Sequence, residues 1–189
     1  MNDYRKPKLF CSVLIILLIL PSCTGTKSWL SKSPAGQTSQ ALAKKSIEAG
    51  EYQKAIDIYS KELQKQPKDQ QLMREFARSL ESIRSSADRA SEKEDFAFAG
   101  HTYYVLQNNY AKFNSVASML SFNKAYLNTK LSYCRKSLST QGFEEYREGN
   151  LNKAIVLWNS LLVIDPNNKD IKEAVRTATH QKKNLQDKN

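Results

Sequence analysis

Few side chains in this sequence are of the types that do covalent or acid–base chemistry. There are three cysteines, Cys11, Cys23 and Cys134, and two histidines, His101 and His180. Cys134 sits on an apolar helical stripe and reads as a small buried hydrophobe. A lone cysteine with those two histidines cannot supply a zinc ligand set. His101 falls on a helical pattern from Asp95 to Tyr110 and reads as a polar or partly buried helix residue. Glu144 and Glu145 are adjacent, so on a helix they point apart and read as solvated groups rather than an acid–base pair. The sequence has no phosphate-cradling glycine loop, nucleophile elbow or HExxH pattern. The reading is of a protein with no enzymatic role, no metal and no cofactor.

Binding chemistry is better represented. From Ala97 to Phe143 there is no Asp or Glu, while lysines, arginine, tyrosines, phenylalanines and asparagines interleave. Part of that aromatic content must be core, because a helix needs an apolar stripe. The surplus predicts a basic, aromatic, amide-rich face built from Tyr103, Tyr104, Tyr110, Lys112, Lys124, Tyr126, Lys130, Arg135 and Lys136. Such a face grips an extended peptide or stacks on sugar rings. The formal net charge of +10 points the same way, toward anionic partners. Asp3 against Arg5, Lys6 and Lys8 gives residues 1–22 a net +2, leaving +8 for the remainder.

The N-terminal residues say where such a protein would work. Arg5, Lys6 and Lys8 precede an apolar run from Leu9 to Leu20, then Pro21-Ser22-Cys23. A basic stretch, a short apolar stretch and small residues at its end make an export signal, and the run is shorter than the ~20 residues a membrane span needs. Leu20-Pro21-Ser22-Cys23 resembles the bacterial lipobox, in which the cysteine is acylated and becomes the new N-terminus. The resemblance implies a signal peptide at 1–22 and lipidation of Cys23, with several acyl chains holding the protein to a membrane. With Cys23 acylated, Cys134 has no disulfide partner. Thr24 follows the cysteine where Asp would favour retention in the inner membrane, so the resemblance implies an outer-membrane lipoprotein facing the periplasm. Nucleic acid would suit the charge but is rarely met by an exported protein. Residues 23–37, rich in Ser, Thr, Gly, Pro and Lys, read as a solvated tether.

Positioning any binding face falls to residues 38–189, read as one helical domain. Gly50-Glu51-Tyr52-Gln53-Lys54-Ala55-Ile56-Asp57-Ile58-Tyr59 matches Gly149-Asn150-Leu151-Asn152-Lys153-Ala154-Ile155-Val156-Leu157-Trp158, and both continue to a proline at the same offset, Pro67 and Pro166. The glycine permits a turn, the alanine lets helix axes approach, the large aromatic fills the next interface and the proline ends the second helix. These segments resemble the second helix and flanks of tetratricopeptide repeats (TPR), a fold of stacked helical hairpins; Glu62 departs from the small residue the family prefers there. Residues 36–69 and 135–168 each cover one motif. Asp95 to Gly100, with Tyr103 and Leu106, resembles a degenerate second helix of a further copy. The two clear copies are 149 − 50 = 99 residues apart, near three repeat lengths. The expectation is all-α: a TPR-like stack of about seven helices, some longer than the family norm, with one helix from Asp69 to Glu92, a polar cap from about Asn168 to Gln186 and essentially no sheet.

The resemblance implies a non-catalytic scaffold that binds an envelope protein or peptide segment for an outer-membrane assembly or secretion system. The basic aromatic face leaves a second reading open, binding of peptidoglycan or an exported anionic polysaccharide.

Overall fold

A computed structural model describes residues 34–187. Cys11 and Cys23, the signal-peptide reading and most of the tether reading lie outside the described residues. Within them the chain forms seven α-helices: α1 (Pro34–Glu48), α2 (Tyr52–Lys65), α3 (Gln70–Glu92), α4 (Phe96–Asn108), α5 (Lys124–Arg147), α6 (Leu151–Ile164) and α7 (Lys169–Gln186). Two short 3₁₀ turns, Tyr110–Phe113 and Ala117–Met119, lie between α4 and α5. Strands are absent among the described residues, as the lack of alternation requires. The helix α1 begins at Pro34, inside the range read as tether; a first-turn proline gives up only an N–H that has no helical partner anyway.

One turn is used three times. Gly50 N–H donates to Ile47 O (3.0 Å) and Glu51 N–H to Ser46 O (2.8 Å). Gly149 donates to Tyr146 O (3.1 Å) and Asn150 to Glu145 O (2.8 Å), and Glu94 donates to Ser91 O (3.1 Å) and Asp95 to Ala90 O (2.9 Å). Each is a Schellman pair, satisfying the last carbonyls of one helix while the chain reverses into the next. The reversal needs a left-handed residue, and φ is +75° at Gly50, +79° at Gly149 and +61° at Glu94. A glutamate there carries a steric cost of roughly 1 kcal/mol that glycine escapes. The residues that follow keep register. Ala55, Ala99 and Ala154 are buried, and so are Tyr59, Tyr103 and Trp158 one turn further on.

The opposite ends are also built alike. Pro67 and Pro166 stand just beyond the last turns of α2 and α6, where proline removes the N–H that would continue a helix. Asp69 then caps α3 through Gln71 and Leu72 N–H (2.9 and 3.0 Å), and Asn168 caps α7 through Ile171 N–H (3.1 Å). Asp95 and Asn123 cap α4 and α5 in the same way. Such caps stabilise by about 1 kcal/mol each.

Each helix packs chiefly on its sequence neighbours, and α4 also packs on α6. The helix α4 is the hub: Phe96, Ala99, Gly100, Thr102, Tyr103, Val105 and Leu106 are buried, so apolar residues surround it and no single stripe shows in its sequence. The separation of 99 residues between the clear copies is thus filled by one hairpin turn at Glu94, by the long helices α3 and α5, and by the segment between α4 and α5. That segment is pinned by Phe113, Val116 and Phe122, all buried. Phe113 lies edge-on to Phe76 (5.9 Å between centroids), which itself stacks on Tyr59 (5.3 Å). Glu62 is buried at the rim of α2 with its carboxylate 2.8 Å from Lys65 Nζ.

Candidate partner-binding surfaces

Three of the nine residues expected to form a basic aromatic face converge on one carboxylate. Tyr103 Oη donates to Asp88 Oδ1 at 2.5 Å and Tyr126 Oη to the same atom at 2.6 Å. Lys130 Nζ stands 3.7 Å from that atom and 5.4 Å from the Tyr126 ring centroid. Arg84 closes on the other carboxylate oxygen and also holds Glu81 (3.0 Å), which accepts from Ser121 Oγ at 2.8 Å. The partners come from α3, α4, α5 and the residues before α5, so the network ties these helices together. Burial works against the charged form of Asp88, but the hydrogen bonds from Tyr103 and Tyr126 and the nearby Arg84 and Lys130 outweigh it and hold the carboxyl below its ordinary value. Burial, then the hydrogen bond to Asp88, pushes Tyr103 and Tyr126 up.

Two more of the nine are held by internal partners. Lys112 Nζ lies 2.6 Å from Asp57 Oδ1 of α2. Beside it Asn109 and Gln53 exchange amide hydrogen bonds (2.6 and 3.0 Å), fastening the 3₁₀ segment to α2. Arg135 donates twice to Ile164 O (2.9 and 3.3 Å), placing a guanidinium on the C-terminus of α6, where the helix dipole favours a cation. Tyr104 and Tyr110 are half-buried against the core, Tyr110 edge-on to Phe113 at 5.7 Å. Lys124 and Lys136 are exposed. The nine therefore do not form one open face. Tyr103 is wholly buried, and its register with Tyr59 and Trp158 was readable as a core position.

The exposed side of α5 carries what remains of the expected chemistry. Asn128, Thr129, Ser132, Tyr133 and Lys136 line a shallow depression without an acid. Tyr133 is 54% exposed, and its ring is set edge-on to Phe96 at 5.4 Å, which holds it for stacking. Deeper grooves lie elsewhere. One of about 550 Å³ runs between α2 and α4, floored by Tyr52, Ile58 and Val105 with exposed His101 at its edge. Another of about 620 Å³ runs between α5 and α6. Its Glu144 and Glu145, read from sequence as solvated groups, both line it. The signal that could have found it is the composition of α6, whose apolar residues exceed what its packing on α4, α5 and α7 covers, leaving Val156 and Val163 exposed.

Cys134 is buried and free, with burial pushing its thiol up to about 11. Among the described residues no group of three or more His, Cys, Asp or Glu is placed to hold a metal ion, and no helix is long and apolar enough to cross a membrane. No family model, no curated protein and no solved structure matches this chain.

Proposed function

We propose that the chain is a lipid-anchored, non-catalytic scaffold whose TPR-like hairpins hold an envelope protein segment close to the periplasmic face of the outer membrane. The observation that carries this reading is the thrice-repeated hairpin: one hydrogen-bond register at residues 50, 94 and 149, followed by the same buried alanine and the same buried aromatic. Stacked hairpins of that kind bury a continuous core between neighbours and leave extended outer surfaces, the geometry on which repeat proteins seat partners. The grooves between α2 and α4 and between α5 and α6 are such surfaces.

The test is photo-crosslinking in cells from Thr129 on α5 and from Asn152 on α6, followed by mass spectrometry. One dominant protein partner is expected. A partner list no richer than that of an unrelated lipoprotein sinks the reading. The anchor is tested apart from the partner: Cys23→Ser should abolish incorporation of labelled palmitate and move the chain out of the membrane fraction, and retention there would overturn it.

The acid-free depression around Tyr133 favours a second reading, binding of peptidoglycan or an anionic polysaccharide. Sedimentation with purified sacculi tests it. Lys130 and Arg135 have internal duties, so the informative variant replaces Lys124, Tyr133 and Lys136 by Ala. Undiminished sedimentation of that variant removes the glycan reading.

A further inference from the structure

The groove between α5 and α6 has an apolar floor and an unusual sign of charge. Val156 is 64% exposed and Leu157 half-buried beside it, with Val163 exposed two turns along α6. Val156 is the most exposed large aliphatic side chain among the described residues. A helix this apolar ordinarily covers itself on every side, and an exposed aliphatic strip beside a groove marks a contact surface. Along the α5 wall stand Glu144, Glu145 and Glu148, against one cation, Lys153. Lys153 is spent on Glu145 at 3.5 Å, and Asn150 reaches Glu145 and Glu148 at 2.8 and 3.2 Å. Glu144 and Glu148 pair with no cation among the described residues. The whole chain has 29 Lys and Arg against 19 Asp and Glu. This groove therefore reverses the protein's overall sign at the place where its aliphatic surface is most open.

We infer that the α5–α6 groove receives a basic, aliphatic peptide segment, whose apolar side chains lie on Val156 and Leu157 while its lysines or arginines reach Glu144 and Glu148. The inference rests on the scaffold reading and names the chemistry of the partner. Glu144 in the last turn of α5 and Glu148, its helical C-cap, are one turn apart on the same side, about 6 Å between side-chain roots. Two cations one helical turn apart, or two residues apart on an extended strand, match that spacing. An acidic segment and an anionic lipid headgroup are repelled by the same carboxylates, so the surface discriminates as well as attracts.

The experiment uses the full chain in detergent and two fluorescein-labelled amphipathic peptides, one of Leu and Lys and one of Leu and Glu. The Leu/Lys peptide should bind, and added salt should weaken it because rim charges act through solvent. Its affinity should fall about tenfold in E144Q/E148Q, as expected for losing two partly exposed ion pairs, and by a similar factor in V156S. K124A/K136A should leave it unchanged. Equal binding by E144Q/E148Q, or equal binding of the Leu/Glu peptide, overturns the inference. Crosslinking in cells separates the two levels. Capture of a basic segment from Asn152 supports the groove assignment. Capture from Thr129 but not Asn152 removes the groove assignment and leaves the scaffold, and capture from neither removes both.

Discussion

Gly142, in the second-last turn of α5, lies against the indole of Trp158. A Cβ built on it would stand 2.3 Å from Trp158 Nε1, 2.5 Å from Cδ1 and 2.9 Å from Cε2. Ordinary contact begins near 3.4 Å, so Gly142→Ala makes the ring retreat by about 1 Å. The ring has nowhere to go, because Trp158 is 1% exposed and is flanked by Phe143 at 5.0 Å and Tyr146 at 5.7 Å. Two effects compete. Alanine gains about 1 kcal/mol over glycine inside a helix. Overpacking costs about 1–3 kcal/mol, and outright loss of a buried Trp, about 3–5 kcal/mol, sets the ceiling. Sterics should win, for a net loss of about 2 kcal/mol and a fall in Tm of about 4–8 °C. Urea denaturation followed by far-UV circular dichroism reads it without relying on the tryptophan. A double-mutant cycle isolates the cause: with Trp158→Leu in place, Gly142→Ala should become neutral or stabilising by up to ~1 kcal/mol. Wild-type stability in the single variant, or the same cost in both backgrounds, refutes the reasoning.

Glu94→Gly should stabilise by about 0.5 kcal/mol, since release from the left-handed region exceeds the added freedom of the unfolded chain; Gly149→Ala should destabilise by about 1 kcal/mol, and denaturant midpoints check both. Asp88→Asn should cost about 2 kcal/mol, between exposed-pair and buried-pair magnitudes, because Arg84 and Lys130 lose their shared anion. Since the folded-state pKa of Asp88 is depressed, its stabilisation is complete above the ordinary Asp value, about 4, and is lost as pH falls through the folded value. Acid titration of stability should therefore be shallower in Asp88→Asn than in wild type. With Cys11 and Cys23 replaced by Ser, Cys134 should resist maleimide until the chain unfolds, and fast native labelling would contradict its burial.

The all-helical class and most helix limits were legible because local rules decide them. Asp69 and Asn168 announce caps, Pro67 and Pro166 announce ends, and Leu72, Phe76, Leu80 and Ile83 repeat at helical spacing. The third hairpin was half legible: Phe96, Ala99 and Tyr103 keep the pattern of Tyr52, Ala55 and Tyr59, but Glu94 hides the glycine slot. The nine residues expected to share one open face are dispersed for a different reason. Absence of acid between Ala97 and Phe143 is a property of the chain, while solvation is a property of the folded surface. Asp57 and Asp88, far off in sequence, fold back onto Lys112, Tyr103, Tyr126 and Lys130 and consume their chemistry. Long-range pairing of that kind leaves no periodic trace.

Nearest-neighbour packing also sets how the protein comes apart. The end helix α7 buries only Ile171 and Ala178 fully, whereas α4 buries residues against the helices on either side of it and against α6. Amide hydrogens of α7 should exchange with solvent first and those of α4 last, giving a gradient of protection that runs inward along the chain. A partner seated across α5 and α6 would flatten that gradient at its outer end, so binding could be read from the exchange of helices it never touches.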